Sequence, residues 1–316
     1  MPETQTAPCQ PGEKQKLLIL VGPTAVGKTD LSIRLAQRLG AEIISADSRL
    51  FYRGMNIGTA KPSLAERAGV PHHLIDIANP DQVLSLAEFQ QLAAQAAADI
   101  QSRGRLPILV GGTGQYIRAV VDGWSGPAAP PNPALRQALE AWAEEVSPLG
   151  LYQRLALLDP QAAEVIEYQN VRRTIRALEV IFTTGQRFSA QRQTGEQRYQ
   201  TLTIGLTRPR PELFARVDAR IEAMLAAGLV AEVHDLLAAG YDLEASALSA
   251  IGYREIGAYL LGRSSLDDAV AQFKHKTHVF VRRQANWFKP TDPQIHWFDA
   301  STVSLDAVVQ LVRGWL

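Results

Sequence analysis

The sequence predicts an α/β fold, a parallel sheet flanked by helices and interrupted by an all-helical insertion. Three observations carry that reading. Short, nearly all-apolar runs alternate with helical patterns over the first third of the chain; strands buried on both faces belong to parallel sheets, and strand–helix alternation to doubly wound ones. A glycine-rich phosphate-loop motif lies between the first apolar run and the first helical pattern. A Pro/Gly-rich break at 123–133 is followed by uninterrupted helical periodicity up to 185, after which an apolar run returns.

Residues 1–13, rich in Pro, Gln and Gly, read as a disordered leader without the apolar segment of a signal peptide. LLILV (17–21) is the first strand, and Leu31, Leu35 and Leu39 mark the helix after the glycine-rich loop. EIISA (42–46), HLIDI (73–77) and PILVG (107–111) are further strands, with an Ala/Gln-rich helix over 86–103. The segment 133–185 reads as successive helices, NPALRQALEAWAEEV, PLGLYQRLALL, QAAEVIEY and NVRRTIRALEVIFTTG, the last closed by Gly185. YQTLTIGLT (199–207) is a strand returning to the first sheet. A core of 14–122 plus 200–316 is thus expected, with 123–199 inserted. Helices follow at 211–227, 229–239, 254–262 and 265–289, then IHWFDA (295–300) and an amphipathic helix from 304.

Composition narrows the function. Hydrophobic residues make up 46% and charged ones 20%, as in an ordinary globular protein. The 32 basic residues balance the 32 acidic ones, so affinity for a polyanion has to come from local patches. A single cysteine, Cys9, excludes an internal disulfide and a cysteine-based zinc site. No stretch reaches the ~20 apolar residues of a membrane span, so a cytoplasmic protein is expected. Nothing marks an obligate interface, and a monomer is expected.

Gly22-Pro23-Thr24-Ala25-Val26-Gly27-Lys28-Thr29 matches G-x-x-x-x-G-K-S/T between a strand and a helix, which makes the core P-loop NTPase-like. Such a loop curls so that backbone N–H groups face phosphate oxygens at a helix N-terminus. Lys28 supplies a mobile positive charge, and the Thr29 hydroxyl suits Mg²⁺. The loop leaves the owner of the phosphate open. A GTPase would need N-K-x-D, which is missing, whereas a small-molecule or nucleoside kinase fits the loop alone.

Asp47 follows the second strand, at the sheet edge where open α/β folds bind ligands. A carboxylate there can hold Mg²⁺ or accept a proton from a nucleophile. The surrounding DSRLFYRGMNIGTAKP, together with PHHLID (71–76), GGTGQYI (111–117), NVRRTIRALEV (170–180), ALSAIGYREI (247–256) and RRQANWFK (282–289), resembles the bacterial tRNA dimethylallyltransferase (tRNA isopentenyltransferase) family. These motifs stand in the family's order from about residue 17 to 290.

The resemblance implies transfer of a dimethylallyl group from dimethylallyl diphosphate to N6 of adenosine 37 in tRNAs reading UNN codons. The P-loop then holds the prenyl diphosphate, with Mg²⁺ assisting its departure. Asp47 is implied as the general base. Thr24 and Thr113 resemble positions near the diphosphate and the attacked nucleotide. Arg220 resembles the arginine that clamps the diphosphate, with Arg216 one turn earlier as its rival. Implied tRNA contacts are Asp47, Ser48, Arg49, Leu50, Thr113, Arg136, Arg172, Arg173, Thr174, Ile175, Arg176, Gly252, Tyr253 and Arg254. Leu50 departs from the family pattern, since many members carry Gln there, and an apolar side chain does not read a base edge by hydrogen bonds.

N6 of a stacked adenine cannot enter a diphosphate pocket, so the nucleotide has to be flipped out of the anticodon loop. Residues 274–291 offer Lys274, Lys276, Arg282, Arg283 and Lys289 with no acid among them. The insertion, with eight arginines against eight acids over 123–199, can grip an anticodon stem with one face only. His275 and His278 have helical spacing, but no third metal ligand stands nearby in the sequence.

Overall fold

The computed structural model describes residues 14–124, 129–130, 132–191 and 197–316. The expected leader, 1–13, lies outside them. The chain divides into two units, one of residues 1–121 with 198–316 and one of 122–197.

The larger unit is built on a parallel sheet. Its strands are β1 (Gln15–Val21), β2 (Glu42–Ser45), β3 (His72–His73), β4 (Pro107–Gly111), β5 (Tyr199–Thr207) and β6 (Ile295–Asp299). They lie in the order β3-β2-β4-β1-β5-β6, every pairing parallel. β1 shows why the apolar runs alternate so little with polar residues. Leu18 and Leu20 enter one buried cluster, while Leu17, Ile19 and Val21 enter a second. The first cluster lies under α1 (Lys28–Leu39), α7 (Arg210–Ala226), α8 (Leu229–Ala238), α9 (Tyr253–Leu260), α10 (Leu266–Gln284) and α11 (Leu305–Trp315). The second is covered by α2 (Leu86–Ser102) and α3 (Gly114–Val121). Because the strands are parallel, the loops after β1, β2, β4 and β5 all open on one edge of the sheet.

Two expected elements are shorter than the sequence suggested. Of HLIDI only His73 lies in a strand, the two-residue β3, because Leu74 and Asp76 adopt positive φ (61° and 56°) and leave the pleated conformation. The helix expected to reach 289 stops at Gln284, and Ala285–Phe288 turn away from it.

The second unit consists of α4 (Pro133–Leu158), α5 (Pro160–Val165) and α6 (Val171–Thr184), around its own cluster that includes Leu139, Leu151, Leu155, Ile175 and Leu178. α4 is kinked at Ser147 (φ 69°, ψ 161°), which precedes Pro148; proline excludes the helical conformation from its predecessor and donates no hydrogen bond. Buried Glu179 gathers this unit. It accepts from the Asn132 amide (2.7 Å), from Arg136 Nε and Nη2 (2.9 and 3.0 Å) and from Arg176 Nη1 (2.6 Å).

Candidate active site

The P-loop runs from β1 into α1. Gly22 sits at φ 150°, and a Cβ there would lie 2.7 Å from the Leu206 carbonyl oxygen, so the loop can leave β1 beside β5 only with glycine at its start. Gly27, at φ 112°, turns the chain into α1. The Lys28 ammonium is folded back on the loop, donating to the carbonyls of Gly22 (2.9 Å) and Pro23 (2.8 Å). Burial pushes the Lys28 pKa down to about 8 against the raising influence of Asp47, and the Arg220 charge lowers it further. Lys28, Asp47 and Arg220 therefore share one electrostatic environment, although they stand on three separate elements.

Asp47 follows β2. One carboxylate oxygen accepts the Arg49 amide (2.9 Å), which fixes the side chain in a tight turn, and its second oxygen makes no hydrogen bond among the described residues. Asp47, Leu50, Lys28 and Thr29 line a cavity of about 70 Å³ together with Gly111. Gly22 and Pro23 border a larger cavity of about 290 Å³, walled by Leu206, Leu213, Val281 and Trp297 among others.

Two arginines of α7 reach toward the loop. Arg216 Nε donates to the Ala25 carbonyl (2.8 Å) and is thereby tied to the P-loop backbone. Arg220 has neither a hydrogen bond nor an ion pair among the described residues; desolvation and the neighbouring Arg216 charge hold its pKa below the usual range. Of the two rivals, Arg220 is the one with its guanidinium uncommitted. Thr113 follows β4, half-buried, and its carbonyl accepts the first amides of α3 from Tyr116 (3.0 Å) and Ile117 (3.2 Å).

The remaining expected site residues are sorted by what they already touch. Arg49 donates to the Ser246 carbonyl (2.8 Å), so it anchors its loop, and Ser48 is half-buried. Thr174 and Ile175 are interior, and so is Tyr253, whose hydroxyl donates to Glu232 (2.5 Å). As side-chain contacts to a large external ligand these three are corrected: helical periodicity turns them inward. Arg136 and Arg176 are spent on Glu179. Gly252 is buried against Phe273. Arg172 and Arg173 are exposed without an ion-pair partner among the described residues, and exposed Arg254 is 3.8 Å from Glu244. The basic run on α10 is thinner than its sequence, because Lys274 pairs with Glu222 and Lys276 with buried Glu255. His278 stacks on Phe214 (4.2 Å) and bonds Asp218 (2.9 Å), which accounts for it without a metal.

Sequence reasoning missed two residues. Glu232 of α8 accepts the amides of Asn56 (2.9 Å), Ile57 (2.8 Å) and Gly58 (3.2 Å), clamping the loop that carries GTAKP. Gln284 bridges the P-loop and the loop after β4. Glu232 lies in none of the quoted motifs, and Gln284 lies in RRQANWFK without its spacing announcing this bridging role.

A family model described as IPP transferase matches residues 50–291. The chain belongs to this family. Among similar proteins is the tRNA dimethylallyltransferase of Roseiflexus sp. (strain RS-1), 54% identical over 95% of this chain and 98% of that one. The enzyme of that name from Geobacillus thermodenitrificans is 44% identical over 96% and 98%. A solved tRNA isopentenylpyrophosphate transferase from Bacillus halodurans superposes with a TM-score of 0.71 at 40% identity, covering 96% of this chain and 95% of that one. A eukaryotic dimethylallyltransferase solved acting on tRNA gives 0.80 at 26% identity, over 95% and 79%.

Proposed function

We infer that this IPP transferase family member is a tRNA dimethylallyltransferase, moving a dimethylallyl group from dimethylallyl diphosphate to N6 of adenosine 37 and releasing diphosphate. The observation that carries the reading is that Lys28 and Asp47 line one cavity at the P-loop, with the Arg220 charge acting on Lys28, in a chain whose relatives bear that name. The kinase alternative is not favoured.

The chemistry follows from the charges. Diphosphate departs with the electrons of the C–O bond, and Lys28, the P-loop amides and Arg220 stabilise the charge that builds on it. The N6 amine is a weak nucleophile, since its lone pair is delocalised into the ring. As the C–N bond forms it loses a proton, and the free oxygen of Asp47 is the acceptor we assign. Thr24 and Thr113 orient donor and nucleotide. The apolar walls of the larger cavity offer a place away from water for hydrocarbon.

Enzymes of this kind commonly use a divalent metal, and the residues fit Mg²⁺. Mg²⁺ takes one or two protein oxygens and completes its shell with phosphate and water, so the exposed Thr29 hydroxyl beside a bound diphosphate suffices. No three His, Cys, Asp or Glu side chains cluster among the described residues, so the donor's oxygens would supply the rest. The metal would neutralise charge on the leaving diphosphate.

For tRNA we propose exposed Arg172, Arg173, Arg254, Arg282 and Arg283 as phosphate contacts, with Ser48 and Leu50 beside the flipped nucleotide. Anticodon stem-loop binding, a monomeric state and a cytoplasmic location complete the proposal; no helix among the described residues is long and apolar enough to cross a membrane. The test is incubation of unmodified tRNA with the donor and Mg²⁺. A mass gain of one C5H8 unit on adenosine 37 is expected, and transfer to a different nucleotide or to none would refute the assignment.

A further inference from the structure

Gln284 has no part in the chemistry above, yet its side chain is bonded to two of the loops that form the site. It ends α10 and is 7% exposed. Its Oε1 accepts the Thr24 amide (2.8 Å), and its Nε2 donates to the Gly112 carbonyl (3.2 Å). A carboxamide offers an acceptor and a donor side by side, which is what closing both bonds from one side chain requires.

The two loops it joins leave neighbouring strands. β1 and β4 are paired up to Val21 and Gly111, and beyond that register no ladder bond holds the chains together. Gln284 takes over beyond it, one residue after β4 at Gly112 and three after β1 at Thr24. The fit leaves no slack, because a Cβ on Gly112 would lie 2.2 Å from Nε2 and 3.2 Å from the Gly22 carbonyl oxygen. Thr24 carries one of the bonded backbone groups, and Thr113 follows the other.

We propose that Gln284 is a positioning residue for prenyl transfer. Its carboxamide sets the separation of Thr24 and Thr113, and so the alignment of donor and attacked nucleotide, without touching either substrate. This rests on the transferase reading. Alignment is where a small displacement costs much rate and little affinity, since reacting atoms must meet at about 3–3.5 Å.

The test compares Gln284→Met, which keeps the volume and drops both hydrogen bonds, with the unaltered protein in prenyl transfer. Expected is a kcat lower by about tenfold or more, KM for donor and tRNA within about twofold, and a melting temperature changed by only a few degrees. In a Thr113→Ala background the same substitution should cost less than about threefold, because residues acting as a unit are not additive. Gly112→Ala displaces the carboxamide from the other side and should reproduce the kcat loss, which keeps the test open if Gln284→Met does not fold. Full kcat in the variants, a loss confined to KM or melting temperature, or full additivity with Thr113→Ala would each overturn the proposal. An unaltered protein that transfers no prenyl group would instead sink the functional reading beneath it.

Discussion

Lys28 and Asp47 show how far single residues were legible. The P-loop motif fixes the lysine, because the loop's backbone leaves one position from which an ammonium can reach the phosphates. Its lowered pKa was invisible, since it comes first from burial in the folded loop and then depends on Asp47, which raises it, and Arg220, which lowers it, both elsewhere along the chain. That shift has a consequence for binding. The free protein holds Lys28 charged below about pH 8 and progressively neutral above it. Affinity for inorganic diphosphate, titrated calorimetrically, is therefore expected to fall as pH rises through about 8, with proton uptake on binding above that value; a flat profile to pH 10 would contradict it. Asp47→Asn keeps the turn and removes the base. Turnover should drop by roughly two orders of magnitude while tRNA affinity changes little. Collapse of tRNA binding with turnover of bound tRNA intact would make Asp47 a recognition residue instead.

At the scale of elements, strands buried on both faces were readable because apolar residues run through them with little alternation, and YQTLTIGLT occupies the span its pattern gave. The failures have local causes. HLIDI has a strand's composition, but Lys61 donates to Asp76 and to the Tyr52 carbonyl (2.7 Å), drawing the segment into a turn that no periodicity encodes. NVRRTIRALEV was legible as a helix but not as an interface, since Thr174 and Ile175 face inward while Arg172 and Arg173 face solvent. Glu232 makes the loop at 56–58 a testable unit. Glu232→Ala leaves three amides and the Tyr253 hydroxyl without their acceptor, so hydrogen exchange at 56–58 should accelerate well beyond that of α2. Unchanged protection there would show that the loop is held by other contacts.

For the whole molecule, a balanced net charge hides where a polyanion could bind, and the fold divides the cations into committed and free. Arg136 and Arg176 are held by Glu179, and Lys274 and Lys276 by Glu222 and Glu255. Arg172→Ala with Arg173→Ala should thus weaken tRNA binding and flatten its salt dependence by about one to two in slope, whereas Lys276→Ala should instead destabilise the fold. The parallel sheet brings the P-loop, Asp47 and Thr113 to one edge, and the family supplies the reaction that joins them. The central claim is that the P-loop serves a leaving group. It is tested most directly by supplying tRNA, dimethylallyl diphosphate and ATP together with Mg²⁺ and following every phosphate. The account predicts one diphosphate released for each prenylated adenosine 37, with ATP left intact; ATP hydrolysis or phosphoryl transfer without prenylation would contradict it.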